Sequence, residues 1–172
     1  WAAHIPGVKV VVPSTAGECK GLLKTAIRDN DPVMFFEHKM LYTTKFNDVP
    51  EVEGDVCIPF GRARIVAEGA DITVVTNSMM TIKAEKAVRQ LQKEGISAEL
   101  IDLRTIVPLD TETIIRSVKK TGKLLIVDEG HLSFGITGEI ASRIMPDVFY
   151  DLDAPIQRMG TADVPLPFSP AL

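Results

Sequence analysis

The sequence predicts an α/β protein: a three-layer α/β/α domain on a mostly parallel sheet, preceded by one strand-helix-strand crossover unit. Three observations carry this expectation. Short β-branched or leucine-rich runs alternate with segments whose apolar residues recur at helical spacing, the rhythm of parallel crossover units. One stretch rich in proline, glycine and acidic residues (FNDVPEVEGDV) interrupts that rhythm between about residues 40 and 59. Polar residues also gather where strands hand over to helices, the edge along which open α/β sheets build their sites.

The elements follow in order. Residues 8–12 (VKVVV), preceded by Pro6-Gly7 and stopped by Pro13, read as a buried strand. Thr15 and Glu18 have capping-box spacing, so a helix should start there with Cys19, Leu22, Leu23, Ala26 and Ile27 on one face. Pro32 ends it, and residues 33–36 (VMFF) form the next strand. After the interruption, residues 72–76 (ITVVT) are a strand. Ser78 is the expected N-cap of a helix with Met80, Ala84, Ala87, Val88 and Leu91 inward, stopping at Gly95. Residues 98–103 make the next strand, and Asp110 caps a helix that turns Ile114, Ile115 and Val118 inward. Lys119 and Lys120 suit the negative end of that helix. Residues 124–127 form a strand, followed by an acidic turn and a helix striped by Ile136, Ile140 and Ile144. Residues 156–159 close the sheet, and a proline-rich tail follows.

Composition narrows the class. The 172 residues are 45% hydrophobic and 24% charged with a net charge of -4, a globular profile able to bury a sizeable core. No Lys/Arg cluster suggests a nucleic-acid partner, and no apolar run approaches the roughly 20 residues of a membrane span. No signal peptide is visible, and the opening on Trp1 without an initiator methionine suggests a processed or partial chain. Cys19 and Cys57 have no metal-ligand spacing and read as two reduced thiols.

Few residues point to chemistry by themselves. His131 is the best acid–base candidate, because imidazole titrates near neutrality and Asp128 and Glu129 precede it. A structural or interface histidine is the competing reading. Gly130, Gly135 and Gly138 could cradle a phosphate, but their spacing fits neither common phosphate-loop pattern, and a tight turn with close helix packing explains them as well. Glu37, His38 and Lys39 close a strand and either face a site or solvent. Asp29 and Asp31 lie near a helix end, where free carbonyls and two carboxylates could hold a hard cation or simply form a solvated turn.

Several segments together resemble one family. HIPGVKVVVPSTAGECKGLLKTAIRDNDPVMFFEHKMLY, IDLRTIVPLDTETIIRSVKKTGKLLIVDEGH and LDAPIQRMGTADVPLPFSPAL look like the β subunit of thiamine-diphosphate-dependent 2-oxo acid dehydrogenases. DLRT-x-x-PLD followed by the EGH turn is the most specific part.

The resemblance implies a transketolase-type C-terminal domain over about 57–172, a linker over 41–56, and the end of a pyrimidine-binding domain over 1–40. It implies a chain truncated at both ends, with the cofactor-activating glutamate and an active-site histidine upstream and a final helix downstream. On that reading no catalytic or cofactor-binding residue lies within this chain, His131 being the weak exception. The family's potassium motif matches Ala26, Ile27 and Asp29, with Asp31 in place of an asparagine. The activity implied is oxidative decarboxylation of a 2-oxo acid with acyl transfer to lipoyl groups. Thiamine diphosphate serves in the parent enzyme, with magnesium held mainly by the α subunit. Implied partners are the α subunit, a second β subunit and the dihydrolipoyl acyltransferase core, with Asp128, Glu129, His131 and Phe134 as interface residues. The setting implied is cytoplasmic in a bacterium and the mitochondrial matrix in a eukaryote. Competing readings are the C-terminal half of another transketolase-like enzyme and an assembly module without catalysis.

Overall fold

The computed structural model describes residues 1–43, 54–166 and 169. In chain order its elements are β1 (Lys9–Val11), α1 (Ala16–Arg28), β2 (Val33–Phe35), β3 (Arg64–Ala67), β4 (Ile72–Thr76) and α2 (Ser78–Lys93). There follow β5 (Ala98–Asp102), β6 (Thr105–Val107), α3 (Thr111–Thr121), β7 (Leu124–His131), α4 (Ile136–Val148) and β8 (Gln157–Thr161). Short 3-10 turns cover Ala2–His4 and Lys39–Tyr42.

The larger sheet has five strands in the order β3-β5-β4-β7-β8. β5, β4, β7 and β8 run parallel, and β3 lies antiparallel along β5. Successive strand residues point to opposite faces, so Val74 and Leu100 pack with Val88 of α2, whereas Val75 and Ile101 pack with Ile114 of α3 and Ile140 of α4. Each fully buried isoleucine or leucine in these layers contributes about 1.5–3 kcal/mol of transfer free energy. The three-layer architecture therefore stands. β4 sends its helix to one face, and β5 and β7 send theirs to the other, which places the topological switch at the carboxyl end of β4.

A second sheet has the order β2-β1-β6. β1 and β2 are parallel with α1 as the crossover, as expected, but β6 comes from the far side of the chain and pairs antiparallel with β1. Neither β3 nor β6 was expected. Both are short and adjoin proline or glycine, so periodicity carries little signal there.

Four other expectations shift. The acidic turn at 128–131 is strand: β7 runs to His131 because β8 continues beside it as far as His131↔Thr161, past an irregularity after Val127. Ser78 is the first helical residue, with φ 47°, and Asn77 occupies the N-cap without a side-chain cap. Thr15 caps α1 by accepting from Glu18 N at 3.2 Å, but the Glu18 carboxylate accepts from Ser14 N at 3.1 Å rather than from Thr15. On α1, Leu22 is buried while Leu23 and Ile27 are exposed, because the described residues cover only the side facing Ile58 and the larger sheet; on α2, Ala87 is likewise exposed.

Asp110 caps α3 as expected, accepting from Thr113 N at 3.1 Å, and Gly122 ends that helix in the left-handed region at φ 68°. Gly21 has a packing role: a Cβ there would meet Ile58 Cγ1 at 2.7 Å. Most of the proline-rich interruption, 44–53, lies outside the described residues.

Candidate functional site

The carboxyl edge of the larger sheet is where the sequence places polar strand ends, and the second sheet docks on that edge. Asp102 ends β5 fully buried, and Glu18 from the first turn of α1 is buried beside it. Arg64 lies 2.7 Å from Glu18 through Nε and 3.4 Å from Asp102 through Nη2. Arg104 Nε donates to Glu18 Oε1 at 2.8 Å, and its backbone N donates to Asp102 Oδ1 at 3.2 Å. Two buried carboxylates are thus met by two partly exposed guanidiniums. Burial, and then the Glu18 charge, push the Asp102 carboxyl up to about 7.

Hydroxyls extend the cluster. Ser14 Oγ donates to Thr81 Oγ1 at 3.1 Å, and Thr81 is 3.0 Å from Thr76 Oγ1, which donates to the Ile101 carbonyl. Arg104 adopts φ 59°, and its carbonyl accepts from Val12 N at 2.8 Å. A side chain rarely takes that conformation unless its surroundings hold it there.

Beside this cluster a cavity of about 410 Å³ opens at the carboxyl ends of β1 and β2. Pro13 to Ala16 and Leu23 line one side; Glu37, His38, Leu41 and Tyr42 line the other. Glu37 accepts from Tyr42 Oη at 2.6 Å and from Cys19 Sγ at 3.1 Å. The Tyr42 donor, then Cys19, holds Glu37 below its ordinary value. Burial, then Glu37, pushes the Cys19 thiol up to about 12, which leaves it a poor nucleophile.

The expected site residues separate into several groups. His38 Nε2 donates to Glu129 Oε2 at 2.8 Å, and its Nδ1 accepts from Met40 N at 3.2 Å, so both ring nitrogens are engaged. His131 Nδ1 donates to the Ala162 carbonyl at 2.8 Å. Asp128 does not reach His131 but accepts from Asn77 Nδ2 at 2.9 Å and from Gly130 N at 3.0 Å. Phe134 stands fully in solvent at φ 56°. Gly135 and Gly138 form the entry to α4, with acidic Glu139 in its first turn.

At the α1 end, Lys9 Nζ lies 2.7 Å from Asp29 and 3.0 Å from Asp31. Asp29, then Asp31, raises the Lys9 ammonium, and Lys9 lowers Asp29. Ala26 offers its carbonyl to Asp29 N at 3.3 Å, and Ile27 is exposed. Among the described residues no cluster of three or more His, Cys, Asp or Glu side chains could hold a metal, and no helix is long and apolar enough to cross a membrane.

Reading 98–103 as a strand gave Asp102 no role, and the sequence showed no role for Arg104 and no sign of Arg64, Tyr42 or the tie between Cys19 and Glu37. A carboxylate directly after the apolar pair Leu100-Ile101 at the end of a strand was the available signal for Asp102.

Comparison with known proteins agrees with this architecture. The family profile "Transketolase, C-terminal domain" matches residues 61–172, and "Transketolase, pyrimidine binding domain" matches 1–45. The "Pyruvate dehydrogenase E1 component subunit beta" of Rickettsia felis is 51% identical over 167 residues, 97% of this chain and 50% of that protein. The "2-oxoisovalerate dehydrogenase subunit beta" of Bacillus subtilis is 46% identical over 171 residues, 99% of this chain and 52% of that protein. The solved structure "Split gene transketolase, inactive beta4 tetramer" superposes with a TM-score of 0.74 at 26% identity, covering 99% of this chain and 52% of that one. The chain spans about half the length of the curated relatives it matches.

Proposed function

Because the chain belongs to the transketolase family, matching its C-terminal domain over 61–172, we propose that it is the C-terminal half of a β subunit in a 2-oxo acid dehydrogenase. The complete enzyme decarboxylates pyruvate or a branched-chain 2-oxo acid and passes the acyl unit to a lipoyl group. Similarity that runs along 97% to 99% of the chain to two such subunits is the observation that carries this reading. The division into 1–40, a linker at 41–56 and 57–172 is part of this proposal, and family profiles matching 1–45 and 61–172 support a break in that region. The parent's setting follows its source: bacterial cytoplasm or mitochondrial matrix.

Thiamine diphosphate does not fit the residues present. At the switch point the Asn77 amide donates to the Asp128 carboxylate at 2.9 Å. The glycine turn at 130–138 sets Asp128, Glu129, Glu139 and, through Ser133, Asp163 against the Arg158 guanidinium, which is engaged by the Leu132 carbonyl, so its charge balance opposes a diphosphate. We assign the cofactor and its magnesium to the other half of the subunit and to the α subunit, a reading that the acidic surroundings of this turn support. Potassium at Asp29 and Asp31 meets a different obstacle, since the Lys9 ammonium already pairs with both carboxylates. An ion at that turn rests on main-chain carbonyls around Ala26, Ile27 and Asp29.

This half then serves assembly. Leu23, Ile27, Met34 and Phe36 leave the small unit with an apolar side suited to the rest of the pyrimidine-binding domain. Phe134, Phe149 and Tyr150 stand out from the larger unit, and with Asp128, Glu129 and His131 they suit contacts with the α subunit, a second β subunit or the acyltransferase core.

The test is reconstitution. The isolated chain supplied with thiamine diphosphate should not decarboxylate a 2-oxo acid, whereas the complete β subunit with its α subunit should. In that complex His131→Ala should weaken assembly while turnover per assembled complex holds. Full assembly with lost turnover would return His131 to catalysis.

A further inference from the structure

We infer that Glu18 and Arg104 are positioning residues that hold the entry to α1, and the cavity beside it, in register with the carboxyl edge of the five-stranded sheet. The structural half of this inference stands on the geometry alone. Its consequence for turnover rests on the function proposed above.

Residues 12–18 are tied to the larger sheet at three heights. Val12 N donates to the Arg104 carbonyl at 2.8 Å. Ser14 Oγ reaches Thr81 in the first turn of α2 at 3.1 Å. Glu18 uses both carboxylate oxygens: Oε2 accepts from Ser14 N at 3.1 Å, while Oε1 meets Arg64 at 2.7 Å and Arg104 at 2.8 Å. Pro13, Ser14, Thr15 and Ala16, which belong to or adjoin this tied run, line the cavity. The opposite wall is tied to the same edge, because His38 donates to Glu129 at the end of β7 at 2.8 Å. Both walls therefore take their spacing from strand ends of the larger sheet. Arg104 contributes through its side chain, its N–H and its carbonyl, which accounts for its φ of 59°. A side chain that fixes its own loop and the facing helix sets position more than it sets charge.

The experiment uses the complete β subunit assembled with its α subunit, carrying Arg104→Met, Arg104→Lys or the milder Ser14→Ala. Amide hydrogen exchange over residues 12–19 reads the joint; kcat and KM read its consequence. Arg104→Met should speed exchange there and lower kcat about tenfold with KM little changed, because the proposed function puts the cofactor in the part of the subunit that the small unit joins, and a small misplacement of that part slows the reaction. Arg104→Lys should recover part of that loss by restoring one donor to Glu18. Ser14→Ala, which leaves the ion pairs intact, should speed exchange without unfolding the subunit even if both arginine variants fail to fold. Unchanged exchange in Ser14→Ala and in every arginine variant that folds would overturn the joint. Faster exchange with kcat at the parent level would overturn the positioning role. If the unmodified complex turns over no 2-oxo acid, the proposed function fails, and exchange alone still decides the joint.

Discussion

Asn77 and Asp128 meet at 2.9 Å across the carboxyl ends of two neighbouring parallel strands, β4 and β7, at the point where the sheet's connections change face. Open α/β sheets usually leave a crevice there for a ligand. Here an amide donor and a carboxylate are paired at that point. Asn77→Ala should destabilise the chain by about 1.5–3 kcal/mol, the usual contribution of a hydrogen bond to a charged group. Asn77→Asp should cost more, because it sets two carboxylates together. Denaturant unfolding of the isolated chain checks both, and an unaltered midpoint in the two variants would remove the bond from the stability of this edge.

Asp102 gives the chain a defined pH response. Its carboxyl ordinarily titrates at 3.8 but stands at about 7 in the folded chain, so the folded state holds the proton more tightly than the unfolded state. The stabilisation this supplies is complete below pH 3.8 and is lost as pH rises through about 7. Over that window stability from this group should fall by on the order of a few kcal/mol. Asp102→Asn should flatten the profile there. A slope as steep in the variant as in the parent assigns the proton elsewhere.

The two cysteines should react at very different rates. Cys57 is exposed, whereas Cys19 is partly buried with its thiol pushed up to about 12 by burial and by Glu37. Because the thiolate is the reactive form, an aromatic disulfide reagent at pH 8 should label Cys57 quickly and Cys19 slowly. Glu37→Gln removes the carboxylate and should speed the slow phase. Two phases of equal rate in the parent would contradict the Cys19–Glu37 contact.

Two isoleucines separate what this chain buries by itself from what, on the proposed function, it offers to the rest of a subunit. Ile114 is fully buried, and Ile114→Ala should cost about 2–5 kcal/mol in the isolated chain. Ile27 is 76% exposed, so Ile27→Ala should stay within about 0.5 kcal/mol there. In the complete subunit the Ile27 substitution should cost several times more, as measured by thermal unfolding. Equal small losses in both settings would mean that the outer side of α1 remains uncovered.

The layers of the fold were legible because their cause is periodic. Ile140 and Ile144 sit one helical turn apart, and Val74 and Val75 alternate across a sheet, so a pattern of one or two turns fixes which side faces inward. The joint between the two sheets was not legible. Glu18 looked like half of a capping box, and only the arrival of Arg64 and Arg104 from residues far along the chain turns it into a buried hub. β7 likewise outran its apolar run, because what keeps residues 128–131 extended is β8 alongside, not the residues themselves. Asp29 and Asp31 read as ligand oxygens until Lys9, distant in sequence, is seen to face them. Local rules see neighbours in the chain; these sites are made by neighbours in space.

The three residues of β6 carry a consequence for the integrity of the particle. They are zipped to β1 at Val10↔Val107 and Val11↔Thr105, and the hydroxyl and ionic ties surround that seam. A cut anywhere between residues 43 and 54 would nick this protein without dividing it. Residues 1–43 and 54–172 should remain together through gel filtration as a split pair. They should part only when the denaturant that unfolds the larger sheet is reached.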